Sequence, residues 1–276
     1  MIALLLLLAQ APAVSSEAIQ LPAVVTDPQA RLADVRNAIA GGRLVQAELM
    51  LGAMPATPTA TDLRLFGDLR LAQKRYDEAG RLFLQLVQIE PQNTHAASRL
   101  GMALIQLGRA ADAEAYLLKA VALPGADWHS WNALGAVLDA RRAWTESRQA
   151  YGHALALAPD QPMVLNNAGY SLILQGRAHE AREMLSKARA IAPDDQRIAT
   201  NSQIADGMAG FYPKKRAANE DDGQWASRLN NAGYGALIAG DLPKARSLFA
   251  RAIKASDTYY EAAEKNLARV ESQLGR

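Results

Sequence analysis

An all-α solenoid of stacked antiparallel helix pairs is the fold class this sequence predicts, and three observations carry it: a 34-residue internal period, glycine and proline recurring in register with it, and no convincing strand pattern. Gly67, Gly101, Gly135 and Gly169 keep the period, as do Ala79, Ala113, Ser147 and Ala181, and again Phe83, Leu117, Tyr151 and Leu185. Pro91, Pro159 and Pro193 hold a fourth register, with Pro124 one residue early. A glycine on the first helix and a small residue on the second let the two approach closely, so that ridges seat in grooves. The large residues of the third series are expected to fill the space between one hairpin and the next. The proline ends the second helix because it has no N–H to donate. One hairpin cannot bury its own apolar face, so neighbours must stack.

The elements follow in order. Gly42-Arg43 and Ala47 mimic the turn and second-helix start of the unit, which places a diverged repeat, and an N-terminal cap, at 28–59. Pro55 to Thr61 reads as its exit loop. Four full repeats are expected at 60–93, 94–127, 128–161 and 162–195, with turns at Gly108 and Gly176 among others. One more helix continues the frame from Arg197 to Met208, and then the second helix is replaced by GFYPKKRAANEDDGQ. Pro213, the Lys214-Lys215-Arg216 run and the Glu220-Asp221-Asp222 run make 196–225 a partial repeat ending in an exposed, mobile linker. Gly233, Gly240, Ala245, Phe249 and Ala252 restart the unit, so 226–276 is a last repeat with a capping helix from Tyr259 to Leu274.

The period, together with Trp131, Leu134, Gly135, Tyr151, Ala154 and Pro159 at their mutual spacing, resembles the tetratricopeptide repeat (TPR) family over most of the chain after its first residues. That resemblance implies a right-handed TPR superhelix, an α-solenoid whose first helices line a concave, protein-binding face.

Composition narrows the function classes. Half of the 276 residues are apolar, enough for a continuous core. A net charge of +2 from 30 basic and 28 acidic residues, spread along the chain, leaves no footprint for nucleic acid. Without cysteine there is no disulfide, no thiolate chemistry, no Cys-based zinc site and no lipidated N-terminal cysteine. The opening MIALLLLLAQAPAVSS has an apolar run from Ile2 to Ala9 followed by Ala11-Pro12-Ala13, the pattern of a signal peptide over 1–13, although no Lys or Arg precedes the run. The run is shorter than the roughly 20 apolar residues a permanent span needs, and no later segment reaches that length, so no transmembrane segment is expected after leader removal.

Few residues have the arrangement of a reaction centre. His95 and His129 share a register in successive repeats, but equivalent residues of stacked hairpins stand on the order of 10 Å apart, too far to ligate one metal ion. No phosphate loop or GxSxG elbow occurs, so neither a cofactor nor a catalytic residue is assigned. Asp194-Asp195 and Asp221-Asp222 read as solvated helix caps. The informative motif is Asn166-Asn167-Ala168-Gly169-Tyr170, repeated unchanged as Asn230-Asn231-Ala232-Gly233-Tyr234, with Asn132 in the same register. These amides are open to two readings. They are either donors and acceptors for a partner's backbone, with Tyr170 and Tyr234 as flat contacts and Arg99, His95 and His129 completing the groove, or spacers that hydrogen-bond one repeat to the next.

The stretch from Trp131 to Gly169, followed by GYSLILQGRAHEAREMLSKARAIAPDD, resembles more narrowly the TadD-like proteins of tight-adherence (Flp-type) pilus assembly, with Arg197 and Asn201 at the place of that family's closing R-x-x-x-N helix. This likeness implies a periplasmic or outer-membrane-associated factor that helps assemble the pilus and binds protein partners. Members usually carry a lipobox cysteine; here none exists, which puts outer-membrane anchoring in question and leaves a soluble periplasmic form or an altered N-terminus. The alternatives are a TPR scaffold of another envelope complex and, from a different class, an envelope-active enzyme using the carboxylates of 196–225.

Overall fold

The computed structural model describes residues 28–258 and 260–275, so the expected leader lies outside them. All regular structure among these residues is helical, in fourteen α-helices. None of them is long and apolar enough to cross a membrane.

The chain separates into two units, one ending at Gly52 and one beginning at Ala53. The first contains α1 (Pro28–Ala40) and α2 (Leu44–Leu51), a short hairpin in the span expected for the diverged repeat. It buries Val35, Ala38 and Ala47 and turns through Gly42, whose φ of 70° only glycine adopts without cost.

The second unit is built of helix pairs: α3 (Ala60–Ala72) with α4 (Tyr76–Ile89), α5 (Thr94–Gln106) with α6 (Ala110–Ala122), α7 (Trp128–Ala140) with α8 (Trp144–Leu157), and α9 (Pro162–Leu174) with α10 (Ala178–Ile191). Then come α11 (Gln196–Met208), α12 (Asp222–Ile238), α13 (Leu242–Ala255) and α14 (Glu261–Leu274). Side chains start most first helices: Thr59 and Asp62 form a capping box on α3, Asn93 caps α5, Asp127 caps α7 and Asp195 caps α11. The second helices α4, α6, α8 and α10 have no side-chain cap and follow directly from a tight turn. That turn places one residue in the left-handed region, Gly108 and Gly176 in two repeats and Lys74 (φ 61°) and Arg142 (φ 58°) in the others.

Consecutive first helices touch, α3 to α5, α5 to α7, α7 to α9 and α9 to α11, whereas the second helices α4, α6, α8 and α10 touch their pair mate and the next first helix but not one another. Elements in contact on one side and separated on the other give a curved stack, with the first helices on the inner face.

The third periodic series packs between one hairpin and the next, as the spacing suggested: Tyr151 clusters with Val164 and Ala168 of α9, and Leu185 with Ile204, Ala205 and Met208 of α11. Each large residue stands on the glycine of its own hairpin: a Cβ on Gly67 would lie 2.8 Å from Phe83, on Gly101 2.5 Å from Leu117, on Gly135 2.6 Å from Tyr151, on Gly169 2.6 Å from Leu185 and on Gly233 2.8 Å from Phe249. All five of these large residues are almost fully buried.

The break after α11 falls where the sequence placed it. With no second helix between them, the first helices α11 and α12 pack directly, and two glycines permit it: a Cβ on Gly207 would lie 2.3 Å from the Ala232 carbonyl oxygen, and one on Gly235 2.2 Å from that of Ile204. The intervening residues are exposed yet tied down. Tyr212 Oη donates to Asp241 at 3.3 Å, Arg228 Nε to Glu220 at 2.8 Å, Arg251 to the Pro213 carbonyl at 3.3 Å, and the Arg182 guanidinium lies 4.0 Å from the Phe211 ring centre. α12 begins at Asp222, earlier than expected, because Asp221 and Gln224 form a capping box that adds a turn.

Gly135→Ala is expected to cost about 1–3 kcal/mol through overpacking against Tyr151. Gly152→Ala, in the second helix of the same repeat and facing open space, is expected to gain up to about 1 kcal/mol from helix propensity. Thermal melts of the two variants check both signs.

Candidate functional site

On the inner face the two asparagine motifs become an amide ladder. Asn201 Nδ2 on α11 donates to Asn166 Oδ1 on α9 at 2.9 Å, Asn166 Nδ2 to Asn167 Oδ1 at 3.4 Å, and Asn167 Nδ2 to Asn132 Oδ1 on α7 at 3.1 Å. The second copy repeats the arrangement, from Asn266 on α14 to Asn230 at 3.0 Å, from Asn230 to Asn231 at 3.5 Å, and from Asn231 to Gln203 on α11 at 2.9 Å. Asn166 and Asn230 each accept from the next repeat and pass a donor to their neighbour, so both amide functions are used, while Asn132 accepts from Asn167. Asn132, Asn166 and Asn230 are accordingly buried, at 7%, 8% and 8% exposure. The geometry favours the spacer reading for these three, against the reading that turns them outward to a partner. One register earlier stands Ser98, buried, with a hydroxyl that finds no hydrogen-bond partner among the described residues.

The two tyrosines part company. Tyr170 is 44% exposed on the inner face, while Tyr234 is half-buried and packs against the apolar clusters on both sides of α12. The missing second helix accounts for this: α12 lies closer to α11 than α9 does to α7, and the tyrosine is enclosed.

His95, Arg99 and His129 do not form one groove surface. His95 Nε2 lies 3.2 Å from both oxygens of Asp68 on α3, and Arg99 Nε 3.4 Å from one of them, so these two clasp a single carboxylate between neighbouring first helices. His129 stacks on Trp128 with ring centres 3.5 Å apart, and its Nδ1 lies 3.2 Å from Asp127. Burial works against ionisation of Asp127, but hydrogen bonds from His129 and from the backbone and hydroxyl of Ser130 outweigh it and hold the carboxyl well below its usual range. Among the described residues no three His, Asp or Glu side chains converge as metal ligands would.

What remains open on the inner face is a shallow concavity of about 530 Å³ between α9 and α11, lined by Asn167, Tyr170, Gln196, Arg197, Thr200, Asn201 and the edge of Asn166. It offers one aromatic face, one guanidinium and several amide and hydroxyl groups. Arg197 is largely exposed, with Asp195 at 3.4 Å. Gln196 and Thr200 were not singled out from the sequence. Their signal was present: they flank Arg197 at the spacing that puts i and i+4 on one helix face.

Residues 70–138 and 132–196 each match the tetratricopeptide repeat family. Together the two matches span residues 70–196. Curated protein sequences give no match. Among solved structures, PilW, a widely conserved type IV pilus biogenesis factor, is 18% identical, with a TM-score of 0.59 over 87% of this chain and 97% of its own. A TPR protein from Parabacteroides merdae is 14% identical, with a TM-score of 0.54 over 88% of this chain and 98% of its own. The APC/C assembly Cut9–Hcn1 contains a chain 14% identical, with a TM-score of 0.59 over 91% of this chain; the present chain spans only 44% of that one. At such identities these likenesses establish the TPR solenoid as the fold and nothing narrower.

Asn230→Ala is expected to cost about 1–3 kcal/mol, because it strands the Asn266 amide and breaks the ladder, whereas Tyr170→Ala should leave the melting temperature nearly unchanged. Calorimetry on the two variants separates spacer from surface. The Asp127 carboxyl is depressed in the folded state, so its contribution to stability is complete above the ordinary carboxylate value of 3.8 and is lost as pH falls below it. Asp127→Asn should therefore narrow the stability difference between neutral and acid pH, read from urea midpoints across that range.

Proposed function

We propose that this chain is a protein-binding scaffold of the cell envelope that assists assembly of a tight-adherence (Flp-type) pilus or secretion apparatus by holding a partner segment in the concavity between α9 and α11. The observation that carries the binding role is that concavity: on an inner face whose motif amides bond to one another, it gathers an exposed tyrosine, an exposed arginine and further polar side chains on two adjacent first helices. Such a surface suits an extended segment, which brings backbone donors and acceptors to the amides, an apolar side chain to Tyr170 and negative charge to Arg197.

Three features support the narrower assignment. The sequence opens with the pattern of an export leader, residues 131–195 resemble TadD-like proteins, and Arg197 and Asn201 fall where that family has its closing motif. The motif has a structural sense here, since Asn201 ends the amide ladder while Arg197, one turn earlier, faces the concavity. PilW, a pilus biogenesis factor, shares the architecture, which makes the solenoid a reasonable framework for the same kind of work.

Crosslinking in cells followed by purification of the tagged chain tests the proposal, comparing wild type with Tyr170→Ala/Arg197→Ala/Thr200→Ala. Pilus or secretion-assembly proteins are expected with the wild type and are expected to fall at least about tenfold with the variant, as loss of a central contact cluster would produce. Equal recovery by both overturns the concavity, and recovery of unrelated envelope proteins alone overturns the pilus assignment.

A further inference from the structure

A second site lies on the opposite side of α9 from Tyr170, where four residues of the third repeat and its neighbour depart together from the periodic pattern. Asp139 occupies a register that is Leu71, Ile105 and Ile173 elsewhere. Tyr151 replaces Phe83, Leu117 and Leu185, Ser171 stands where Ala103, Val137 and Ala205 stand, and Gly152 takes the place of Leu84 and Leu118. The first three meet in space: Tyr151 Oη donates to Asp139 Oδ2 at 2.9 Å and Ser171 Oγ to Asp139 Oδ1 at 2.7 Å. All three are buried, and among the described residues no cation pairs with the carboxylate. The other repeats fold with apolar residues in these registers, so stability does not call for a buried carboxylate, which carries a large desolvation cost. Coordinated departures of this kind from a fold's own pattern mark functional positions.

Above the network is a cavity of about 210 Å³ between α8, α9 and α10. Gly152 opens it: a Cβ there would meet nothing within 4 Å, while α8 and α10 do not touch. Leu155, Leu172 and Met184 form its apolar wall, and Tyr151 and Ser171 reach its floor. The polarity of that floor is fixed. Burial and the adjoining Asp139 charge push the Tyr151 hydroxyl well above its ordinary range, so it stays a donor to Asp139, as does Ser171. With both protons drawn inward, the two hydroxyl oxygens present lone pairs to the cavity, and Ser171 already accepts from Gln175 Nε2 at 3.0 Å. Arg148, Arg177 and Glu180 also line the cavity, and an occupant that meets both the apolar wall and the acceptor floor is an apolar body with a hydrogen-bond donor at its far end. The volume is below the roughly 300 Å³ at which small-molecule pockets begin, which fits one side chain of a partner better than a free ligand.

We propose that this cavity is an anchor site for a tyrosine side chain of a partner protein, its ring against Leu155, Leu172 and Met184 and its hydroxyl donating to the Tyr151 and Ser171 oxygens. The test titrates the full chain with p-cresol, toluene and N-acetyltyrosinamide while following the NMR signals of Leu155, Leu172 and Met184. Saturable binding of p-cresol is expected, with toluene at least about fivefold weaker for want of the donor. N-acetyltyrosinamide should bind at least as tightly as p-cresol, since its backbone emerges at the mouth. Gly152→Leu, which restores the side chain of the earlier repeats, should weaken p-cresol at least about tenfold by filling the space. Ser171→Ala, a residue this register already accepts in two repeats, should remove the preference for p-cresol over toluene. Absence of saturable binding, equal affinity for toluene, or binding unchanged in Gly152→Leu overturns the site. If p-cresol binds and N-acetyltyrosinamide does not, the cavity takes a free phenol and the side-chain proposal fails.

Discussion

One missing carbon per repeat governs the rest of this molecule. At Gly67, Gly101, Gly135, Gly169 and Gly233 the space a Cβ would need is taken by a large, buried residue of the facing helix. That contact sets how closely the two helices of a pair approach, and interiors packed to crystal-like density leave no slack for a different separation. Once the pair is fixed, its outer faces are fixed too, and the next pair has one way to stack. The inner layer of first helices, the gaps between second helices and the concavity between α9 and α11 all descend from it.

Where the pattern lapses after α11, a related device takes over on a different surface. Gly207 and Gly235 bring two first helices together backbone to backbone, so the core continues across a missing helix. The amide ladders meet on this same helix, one leaving from Asn201 and the other ending at Gln203. Polar bonds chained from helix to helix specify register as well as adhesion, since a slip of one residue along a helix would break several of them at once. Closer packing also explains why identical pentapeptides end differently, with Tyr170 exposed and Tyr234 enclosed.

Much of the fold was legible because a solenoid repeats its physics. A 34-residue register of glycine, small residue, large residue and proline encodes a helix pair, and the same letters in successive repeats average out local ambiguity. The candidate site was less legible. Asn132, Asn166 and Asn230 were recognisable as a set, yet sequence left open whether amides at that spacing face a partner or one another, because both readings require the same residue in the same register. Their bonds run to Asn167, Asn201, Asn231 and Asn266, whose pairing depends on helix rotation and not on spacing. His95, Arg99 and His129 looked like a row and were divided by two carboxylates, Asp68 and Asp127, whose reach across or within a repeat no periodicity records.

By itself, then, the sequence determined the helix pairs, their order, the place where a second helix is lost and the set of residues that keep the repeat, because these depend on local propensity and on a periodic apolar pattern. Only the tertiary structure decided which face of each first helix is exposed, which amides pair with which, and that Asp139, Tyr151 and Ser171, 12 and 32 residues apart along the chain, form one buried cluster beside a cavity. The reason is physical. Propensity and period act along the chain, whereas exposure and hydrogen-bond partnership are settled by the separation and rotation of helices packed against one another, and those follow from how a few glycines and large side chains fit together.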